Sequence, residues 1–260
     1  MSSLVVPVAI VTGGSGGMGG AIGLELARRG VTVVYGQRRE ATEAVAAIAA
    51  MGGSAISLPL DLSTRAGVSA FFEAFSGWFE RLDYLVNCSG ECPRTAIADV
   101  TEEELAKTFA VNANGPFFMA QFARPLMWKS GGGAIVNIGS VAGEDGAFAA
   151  SPAYSMAKGA LKAMMMQLSK QGFPPEAYAP GAPPRSTFPY IRINNIAPGP
   201  VMTPMLESMA PADLQKIKDA SLTSCVTGVE EIAKATAYLL LDAKNTTGQT
   251  MGINGGITRT

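Results

Sequence analysis

Tyr154 and Lys158 stand four residues apart in the stretch Tyr154-Ser155-Met156-Ala157-Lys158. On a helix, two such residues share a face with their Cβ atoms about 5 to 6 Å apart, so a phenol and an ammonium can act on the same substrate group. A free tyrosine has a pKa near ~10, and a nearby cation favours the phenolate, so Lys158 is expected to lower the pKa of Tyr154. A shift to about 7 needs roughly 4 kcal/mol, more than one partly solvated lysine supplies, so a second cation is expected beside the pair. The pattern predicts a general acid/base, although a tyrosine and a lysine also recur at this spacing by chance.

Histidine is absent from the chain, and this excludes several chemistries. The segment Gly13-Gly14-Ser15-Gly16-Gly17 fits the G-x-S-x-G pattern of a serine hydrolase, but no imidazole exists to activate the serine. Zinc sites built on histidine are excluded for the same reason. Three scattered cysteines, Cys88, Cys92 and Cys225, make neither a substitute metal site nor an even disulfide framework, which favours a reducing cytoplasm. Acid/base chemistry near neutral pH is therefore assigned to a perturbed side chain such as Tyr154.

Composition predicts one soluble domain over residues 1–260. The chain is 48% hydrophobic with a net charge of −1, and its charges are spread without blocks. This distribution excludes a nucleic-acid stripe and a polybasic membrane patch, so the expected partner is a small molecule. No stretch reaches the ~18 apolar residues of a membrane span. The apolar residues 5–11 follow no Lys or Arg, so they indicate a first strand rather than a signal peptide, and the protein is expected in the cytoplasm.

Seven short apolar runs alternate with helical patterns along the chain. They predict an α/β fold, a single doubly wound (Rossmann-type) domain with a mostly parallel seven-stranded sheet. The predicted strands cover residues 8–11, 31–35, 54–60, 82–86, 134–138, 191–196 and 250–253. Ligands of such sheets bind at the carboxyl ends of the strands. Ser140 follows the fifth strand and the Tyr154 helix begins soon afterwards, so both are expected at this edge.

Three helix starts are predicted from capping residues. Ser63 is expected to cap a helix that runs to about Glu80, and Thr101 with Glu104 forms a capping box for the helix that carries Asn112. Thr227 with Glu230 is expected to cap a later helix.

A glycine-rich turn at Thr12-Gly13-Gly14-Ser15-Gly16-Gly17-Met18-Gly19 links the first predicted strand to a helix. The absence of side chains lets backbone amides approach a pyrophosphate, and the helix N-terminus adds partial positive charge. A flexible turn is the alternative, but the strand and helix on either side favour a dinucleotide site.

The end of the second strand indicates which dinucleotide binds. An NAD site usually places an acid there for the ribose 2′-hydroxyl, whereas this chain has Gln37 followed by Arg38 and Arg39. The positive charge suits a 2′-phosphate, so NADP is predicted with NAD as the alternative. Two solvated arginines at the start of the next helix would give the same sequence.

These residues together resemble the classical short-chain dehydrogenase/reductase family from Val8 to about Ile257. The resemblance is carried by T-G-G-S-G-G-M-G at 12–19, Asp61, Asn112, Ser140, Tyr154 with Lys158, and N-N-I-A-P-G at 194–199, all in the family's order. It implies a seven-stranded Rossmann-type sheet and hydride transfer between the cofactor's nicotinamide and a carbonyl or secondary alcohol. The family's N-N-A-G appears here as Asn87-Cys88-Ser89-Gly90, a small change that should still allow close approach of the backbone to the cofactor.

The resemblance also implies the roles of individual residues. Tyr154 would be the acid/base, Ser140 would hydrogen-bond the substrate oxygen, Lys158 would lower the pKa of Tyr154 and hold the nicotinamide ribose, and Asn112 would anchor a water in a proton relay. Asp61 would meet the adenine, and the backbone near Val201 with Thr203 would meet the carboxamide. The predicted cofactor-binding residues are Gly13, Ser15, Gly17, Met18, Gly19, Gln37, Arg38, Arg39, Asp61, Leu62, Asn87, Ser89, Gly90, Tyr154, Lys158, Pro198, Gly199, Val201 and Thr203.

The predicted function is an NADP-dependent reductase or dehydrogenase of a largely apolar carbonyl or alcohol. A non-catalytic dinucleotide sensor or scaffold and a lyase or epimerase that uses its nucleotide transiently are the alternatives. Substrate contacts are expected from Ser140 and Tyr154, from the apolar residues Phe148, Met156, Pro200, Met202 and Met205, and from the polar residues Glu91, Arg94, Glu144 and Asp145. Residues 200–225 are the expected substrate-loop region.

A proline-rich segment at residues 173–189 is about a dozen residues longer than the corresponding part of most family members. It follows the Tyr154 helix, which starts at the catalytic edge and runs back, so the segment is expected about 25 Å away at the opposite edge. Its six prolines predict an ordered arm that packs on a neighbouring subunit of a homo-oligomer, a tetramer or a dimer.

Overall fold

A seven-stranded sheet forms the centre of the protein. The computed structural model describes residues 5–147, 150–203, 206 and 210–258. Within them the strand order is β3-β2-β1-β4-β5-β6-β9, and every neighbouring pair is parallel. These strands are β1 (Val8–Thr12), β2 (Thr32–Gln37), β3 (Ala55–Pro59), β4 (Tyr84–Asn87), β5 (Gly133–Ile138), β6 (Ile191–Pro198) and β9 (Thr250–Ile253). The predicted fold class is confirmed, and the sheet is parallel throughout. A separate short ribbon pairs β7 (Val201–Met202) with β8 (Thr227–Gly228).

Helices connect the strands and cover both faces of the sheet. They are α1 (Gly17–Arg28), α2 (Thr42–Ala50), α3 (Arg65–Ser76), α4 (Glu102–Phe109), α5 (Gly115–Lys129), α6 (Ala142–Asp145), α7 (Pro152–Ser169), α8 (Pro211–Asp219) and α9 (Val229–Ala237). Three of them adjoin π-helical turns, which are Ala110–Asn114 between α4 and α5 and Tyr238–Asp242 after α9. No described helix has the length and apolar character needed to cross a membrane.

Alternate residues of each strand supply two separate cores. On one face, Val11, Val33 and Val136 pack with residues of α1, α2 and α9. On the other face, Ile10 and Ile135 pack with residues of α3, α5 and α7. Because both faces are covered, the strands are apolar along most of their length, as the sequence predicted.

The chain winds outward in both directions from the middle of the sheet. It passes from β1 through β2 to β3 on one side, then returns to β4 beside β1 and continues through β5 and β6 on the other. Ligands of open α/β sheets bind where the strand order reverses, so the carboxyl ends of β1 and β4 form the expected crevice.

The helix starts differ from the sequence prediction in two places. Thr64, rather than Ser63, caps α3, because its Oγ1 accepts the Gly67 amide at 3.0 Å while the Ser63 hydroxyl donates to Asp61. That helix ends at Ser76, short of Glu80. Thr227 lies in β8, and its hydroxyl donates to the Ile253 carbonyl at 3.4 Å, so α9 begins after Gly228 without a side-chain cap.

The proline-rich segment forms two short 3₁₀ turns, Pro175–Tyr178 and Arg185–Thr187. The rings of Phe173 and Tyr190 lie 4.6 Å apart at its base, and the Arg185 guanidinium lies 4.8 Å from the ring of Tyr178. The segment joins the end of α7 to the start of β6, where the Tyr190 carbonyl accepts the Gly133 amide at the start of β5.

Candidate active site

The glycine-rich turn is folded tightly against buried neighbours. A Cβ at Gly14 would lie 2.1 Å from the Tyr35 ring, and a Cβ at Gly19 would lie 2.2 Å from the Gly13 carbonyl oxygen. Gly13 itself has a φ of 83°, which is strained for other residues. Ser15 and Gly17 are exposed at the start of α1, and Met18 is half-buried against the core. The turn therefore presents backbone amides at the end of β1.

The residues after β2 face the same turn. Gln37 is buried, and its Oε1 accepts the Ser15 amide at 2.5 Å. Its Nε2 is buried without a hydrogen-bond partner. Arg38 and Arg39 are exposed, and the guanidinium of Arg38 donates to Glu91 at 3.1 Å. Gln37 is thus hydrogen-bonded to the glycine-rich turn through Oε1, and its Nε2 group is unused.

The end of β4 is attached to β1 through one hydroxyl. Thr12 Oγ1 accepts the amides of Cys88 and Ser89, each at 3.0 Å. The side chain of Asn87 donates to Asn137 at 2.8 Å, and Asn137 donates to Asn195 at 3.0 Å, so three asparagines link β4, β5 and β6. The Asn87 side chain therefore ties the strands together, while Ser89 and Gly90 lie beside the crevice.

The remaining predicted cofactor residues lie at the ends of β3 and β6. Asp61 accepts the Ser63 hydroxyl at 2.6 Å, and the hydrogen bonds from Ser63 lower the pKa of its carboxyl group. Leu62 is buried. Pro198 ends β6 and accepts the Val141 amide at 3.0 Å. Gly199 and Thr203 are half-buried, and Val201 is buried in β7.

Ser140, Tyr154 and Lys158 come together at the carboxyl end of β5. The Ser140 hydroxyl accepts the Ala142 amide at 3.1 Å and forms a hydrogen bond with Tyr154. Lys158 Nζ donates to the Ile138 carbonyl at 2.8 Å and lies 5.7 Å from the centre of the Tyr154 ring. The structure thus brings these three predicted residues together at one edge of the sheet.

The pKa values of Tyr154 and Lys158 differ from the sequence prediction. Burial, with a smaller contribution from Cys92, raises the pKa of Tyr154 to about 12, and the hydrogen bond with Ser140 acts in the opposite direction. Burial also lowers the pKa of Lys158 to about 8. Lys158 therefore does not bring the pKa of Tyr154 toward neutral in the protein alone, because burial disfavours the charged form of both groups.

Asn112 lies in the π-helical turn between α4 and α5. Its Nδ2 donates to the carbonyls of Thr108 and Glu91, at 3.0 and 2.9 Å, and its Oδ1 is buried without a hydrogen-bond partner. A Cβ at Gly90 would lie 2.7 Å from Asn112 Oδ1 and 3.5 Å from Lys158 Nζ. Asn112 and Lys158 therefore border the same small space beside Gly90.

The sequence analysis did not identify Glu104 as the residue that joins α4 to α7, the helix that carries Tyr154. The Glu104 amide donates to Thr101 Oγ1 at 3.1 Å, as a capping box requires. Its carboxylate, however, accepts the hydroxyls of Thr95 at 2.5 Å and Ser151 at 2.7 Å, and these bonds lower its pKa. Ser151 precedes Pro152 at the start of α7, an N-cap pattern that the sequence contains.

The predicted substrate residues are only partly brought together. Phe148 and Met205 lie outside the described residues. Pro200 and Met202 are half-buried near the end of β6, whereas Met156 is 55% exposed on α7. Glu144 pairs with Lys162, and Glu91 pairs with Arg38 and Lys107.

Glu91 and Cys92 line a cleft of about 450 Å³ with Pro93, Thr101, Glu103, Glu104, Lys107 and Thr108.

Metal chemistry has no candidate centre in the described part of the chain. No group of three or more His, Cys, Asp or Glu side chains there could hold a metal ion.

Comparison with known proteins places the chain in a family. The short chain dehydrogenase model matches residues 7–214, and a model described as enoyl-(acyl carrier protein) reductase matches residues 186–258. An uncharacterized oxidoreductase of Methylorubrum extorquens is 34% identical over 264 residues, which cover 99% of this chain and 100% of that protein. A 3-oxoacyl-(acyl-carrier-protein) reductase of Synechocystis sp. is 32% identical over 270 residues, which cover 99% of both.

Solved structures agree with this assignment. A short-chain dehydrogenase/reductase from Serratia marcescens superposes with a TM-score of 0.85 at 29% identity, over 97% of this chain and 98% of that one. The resemblance seen in the sequence motifs is thus confirmed. The chain belongs to the short-chain dehydrogenase family, and it is an NAD(P)-dependent oxidoreductase.

Proposed function

We propose that this protein is an NADP-dependent reductase that interconverts a carbonyl compound and its secondary alcohol, with Tyr154 as the general acid/base. The observation that carries the proposal is the Tyr154 cluster, in which Ser140 bonds the phenol and Lys158 lies beside its ring. The cluster stands at the carboxyl edge of the sheet, next to the glycine-rich turn. A proton donor and a dinucleotide site therefore border the same crevice.

The residues present fit a dinucleotide. The turn places exposed residues at a helix N-terminus, a site that favours a pyrophosphate. The unpartnered Nε2 of Gln37 and the guanidinium groups of Arg38 and Arg39 are all donors. A 2′-phosphate offers only acceptors, whereas a 2′-hydroxyl is usually recognised by a carboxylate, so the donor set favours NADP with NAD as the alternative.

Bound NADPH supplies the hydride. Ser140 Oγ already accepts the Ala142 amide, so its own proton is free to bond the substrate oxygen or the Tyr154 phenol. Tyr154 holds the proton that the carbonyl oxygen takes up during reduction. Lys158 is held at the Ile138 carbonyl and borders the same small space as Asn112 Oδ1. A water that donates to Asn112 Oδ1 would relay a proton from the Lys158 ammonium to Tyr154.

A panel of carbonyl compounds tests the proposal. Wild-type protein should consume NADPH in proportion to the alcohol formed, and NADPH should be preferred to NADH. A 3-oxoacyl thioester is the first compound to try, because the Synechocystis relative is a reductase of that class. A dinucleotide sensor would bind NADPH without turnover, and a lyase or epimerase would form product without net consumption of NADPH.

Tyr154→Phe tests the role of the phenol. We expect kcat to fall by about 10² to 10⁴, the usual contribution of a general acid/base, while the Kd for NADPH stays close to that of the wild type. Tyr238→Phe, at an exposed tyrosine outside the cluster, is the matched control. Turnover of Tyr154→Phe near the wild-type rate would exclude this mechanism.

We further propose a cytoplasmic homo-oligomer, a tetramer or a dimer. The three cysteines are free thiols, which supports a reducing compartment. Phe117 on α5 and Met166 on α7 are 41% and 49% exposed, and apolar side chains at these positions would be covered in an oligomer.

A further inference from the structure

Glu104 makes contacts with three elements around the catalytic helix. It belongs to the first turn of α4, and its two carboxylate oxygens accept hydroxyl protons from Thr95 and Ser151, at 2.5 and 2.7 Å. Thr95 lies in the loop between β4 and α4. Ser151 is the N-cap of α7 and is completely buried. One side chain thus connects α4, the loop after β4 and the start of α7.

Ser151 is in turn bonded directly to the turn that carries Tyr154. The Ser151 carbonyl accepts the Tyr154 amide at 3.0 Å, and Ser151 Oγ accepts the Ala153 amide at 3.3 Å. The Ser151 amide donates to the Pro93 carbonyl at 2.8 Å. A shift of Ser151 would therefore move the backbone of Tyr154.

The loop that Glu104 holds through Thr95 also borders the catalytic residues. Asn112 donates to the Glu91 carbonyl in this loop, and Cys92 is close enough to Tyr154 to raise its pKa. Pro93 follows directly and accepts the Ser151 amide. The loop and the start of α7 are thus joined twice, through Pro93 and through Glu104.

We propose that Glu104 is a positioning residue for Tyr154. It holds Ser151 and Thr95 in place so that the phenol stays in register with Ser140. This inference rests on the proposed function, because Tyr154 must be the acid/base for its position to matter. Glu104 acts through Ser151 and is not itself in contact with the Tyr154 phenol.

The carboxylate is specifically required, because both partners donate to it. Ser151 Oγ already accepts the Ala153 amide, so its proton needs an acceptor, and Thr95 donates to the second oxygen. A carboxamide has a single accepting oxygen. Glu104→Gln keeps the size of the side chain but leaves one of the two hydroxyl groups without its acceptor.

The test compares Glu104→Gln with Glu103→Gln. Glu103 lies in the same helical turn and lines the same cleft, so its substitution removes an equal charge without touching Ser151. We expect Glu104→Gln to lower kcat about tenfold, because small misplacements of reacting groups are costly, while KM for NADPH changes less than about twofold. The midpoint of kcat against pH, which reports the acid/base group, should move in Glu104→Gln and stay in place in Glu103→Gln.

A double-mutant cycle with Ser151→Ala separates positioning from general stability. If Glu104 acts through Ser151, the loss in kcat of the double variant should be smaller than the product of the two single losses. Should Glu104→Gln melt below the assay temperature, Ser151→Ala alone should show the lowered kcat and the moved midpoint. A lower melting temperature with unchanged kcat and pH midpoint would overturn the inference, as would equal behaviour of the two glutamate variants. Wild-type protein that reduces no carbonyl compound would instead overturn the proposed function.

Discussion

The positive charge of Lys158 is unfavourable in its buried surroundings. Its side chain is 5% exposed, and in the described part of the chain it donates to the Ile138 carbonyl rather than to a carboxylate. Burial lowers its pKa to about 8 from an ordinary value of 10.5. The unfolded chain therefore binds this proton more tightly than the folded chain does, and the charged lysine destabilises the fold.

We expect Lys158→Met to raise the melting temperature of the cofactor-free protein at pH 7 while abolishing turnover. The destabilisation of the wild type is fully present below pH 8, where both states are protonated, and it disappears as pH rises from about 8 to about 10.5. The difference between the two pKa values corresponds to roughly 3 kcal/mol, so the advantage of Lys158→Met should be large at pH 7 and small at pH 10. Thermal denaturation at both pH values measures it. Lys170→Met, at the exposed end of the same helix, is the control. If the gain in melting temperature of Lys158→Met does not change with pH, the lowered pKa of Lys158 is contradicted.

Residue types and spacing were sufficient to single out Tyr154 and Lys158 but not to predict their pKa values. Tyr154 and Lys158 were recognised because helical geometry places residues four apart on one face. Their pKa values depend on burial, which arises from segments far away in the sequence, such as the loop with Cys92. Glu104 was interpreted as a capping residue for the same reason, since its partners Thr95 and Ser151 reach it only in the folded chain.

At the scale of elements, the strand–turn–helix unit at the N-terminus depends on close approach of backbone to backbone. A Cβ at Gly19 would lie 2.2 Å from the Gly13 carbonyl oxygen, whereas a Cβ at Gly16 would lie at 3.5 Å from the same atom. Gly16 has a φ of −91°, which any residue adopts. Gly16 therefore has room for a side chain and Gly19 does not, although both belong to the same motif.

We expect Gly19→Ala to lower the free energy of unfolding by about 1 to 3 kcal/mol, because α1 must move away from the turn to accept the methyl group. Gly16→Ala should change it by only a few tenths of a kcal/mol, since the position is an N-cap with space beside it. Chemical denaturation of the two variants gives both values. Equal stability of the two variants would show that the turn is looser than the structure indicates.

Strands were predicted better than helix starts. Each strand is an apolar run covered on both faces, so local composition was sufficient to locate it. A helix cap depends on which neighbouring hydroxyl accepts the free amides of the first turn. Here Ser63 is hydrogen-bonded to Asp61, and Thr64 accepts the Gly67 amide instead. The π-helical turn at Asn112 gives no sequence signal, because the helical pattern continues through it.

At the scale of the whole molecule, the Tyr154 cluster and the proline-rich segment lie at opposite edges of the sheet. Ser140 and Lys158 lie at the carboxyl end of β5, and the proline-rich segment returns at Tyr190 beside the amino end of the same strand. Trp128 Nε1 donates to the Gly172 carbonyl at 2.9 Å, which fixes the start of the segment against α5. The direction of α7 was sufficient to predict this placement, whereas the 3₁₀ turns and the aromatic contacts within the segment were not predicted.

The proposed role of this segment, an arm that supports subunit assembly, can be tested by removing it. Because the Ile191 amide donates to the Gly172 carbonyl at 2.9 Å, the backbone on either side of the segment is already close, so a short Gly-containing turn can replace residues 174–189. We expect the shortened protein to change its assembly state or its melting temperature, measured by light scattering and thermal denaturation, while KM for the substrate stays within a few-fold. Arg185→Ala removes the cation over Tyr178 at full chain length, so it should produce a smaller change of the same kind. A large change in KM that depends on the substrate, with assembly intact, would show that the segment reaches an active site, either its own or that of a neighbouring subunit.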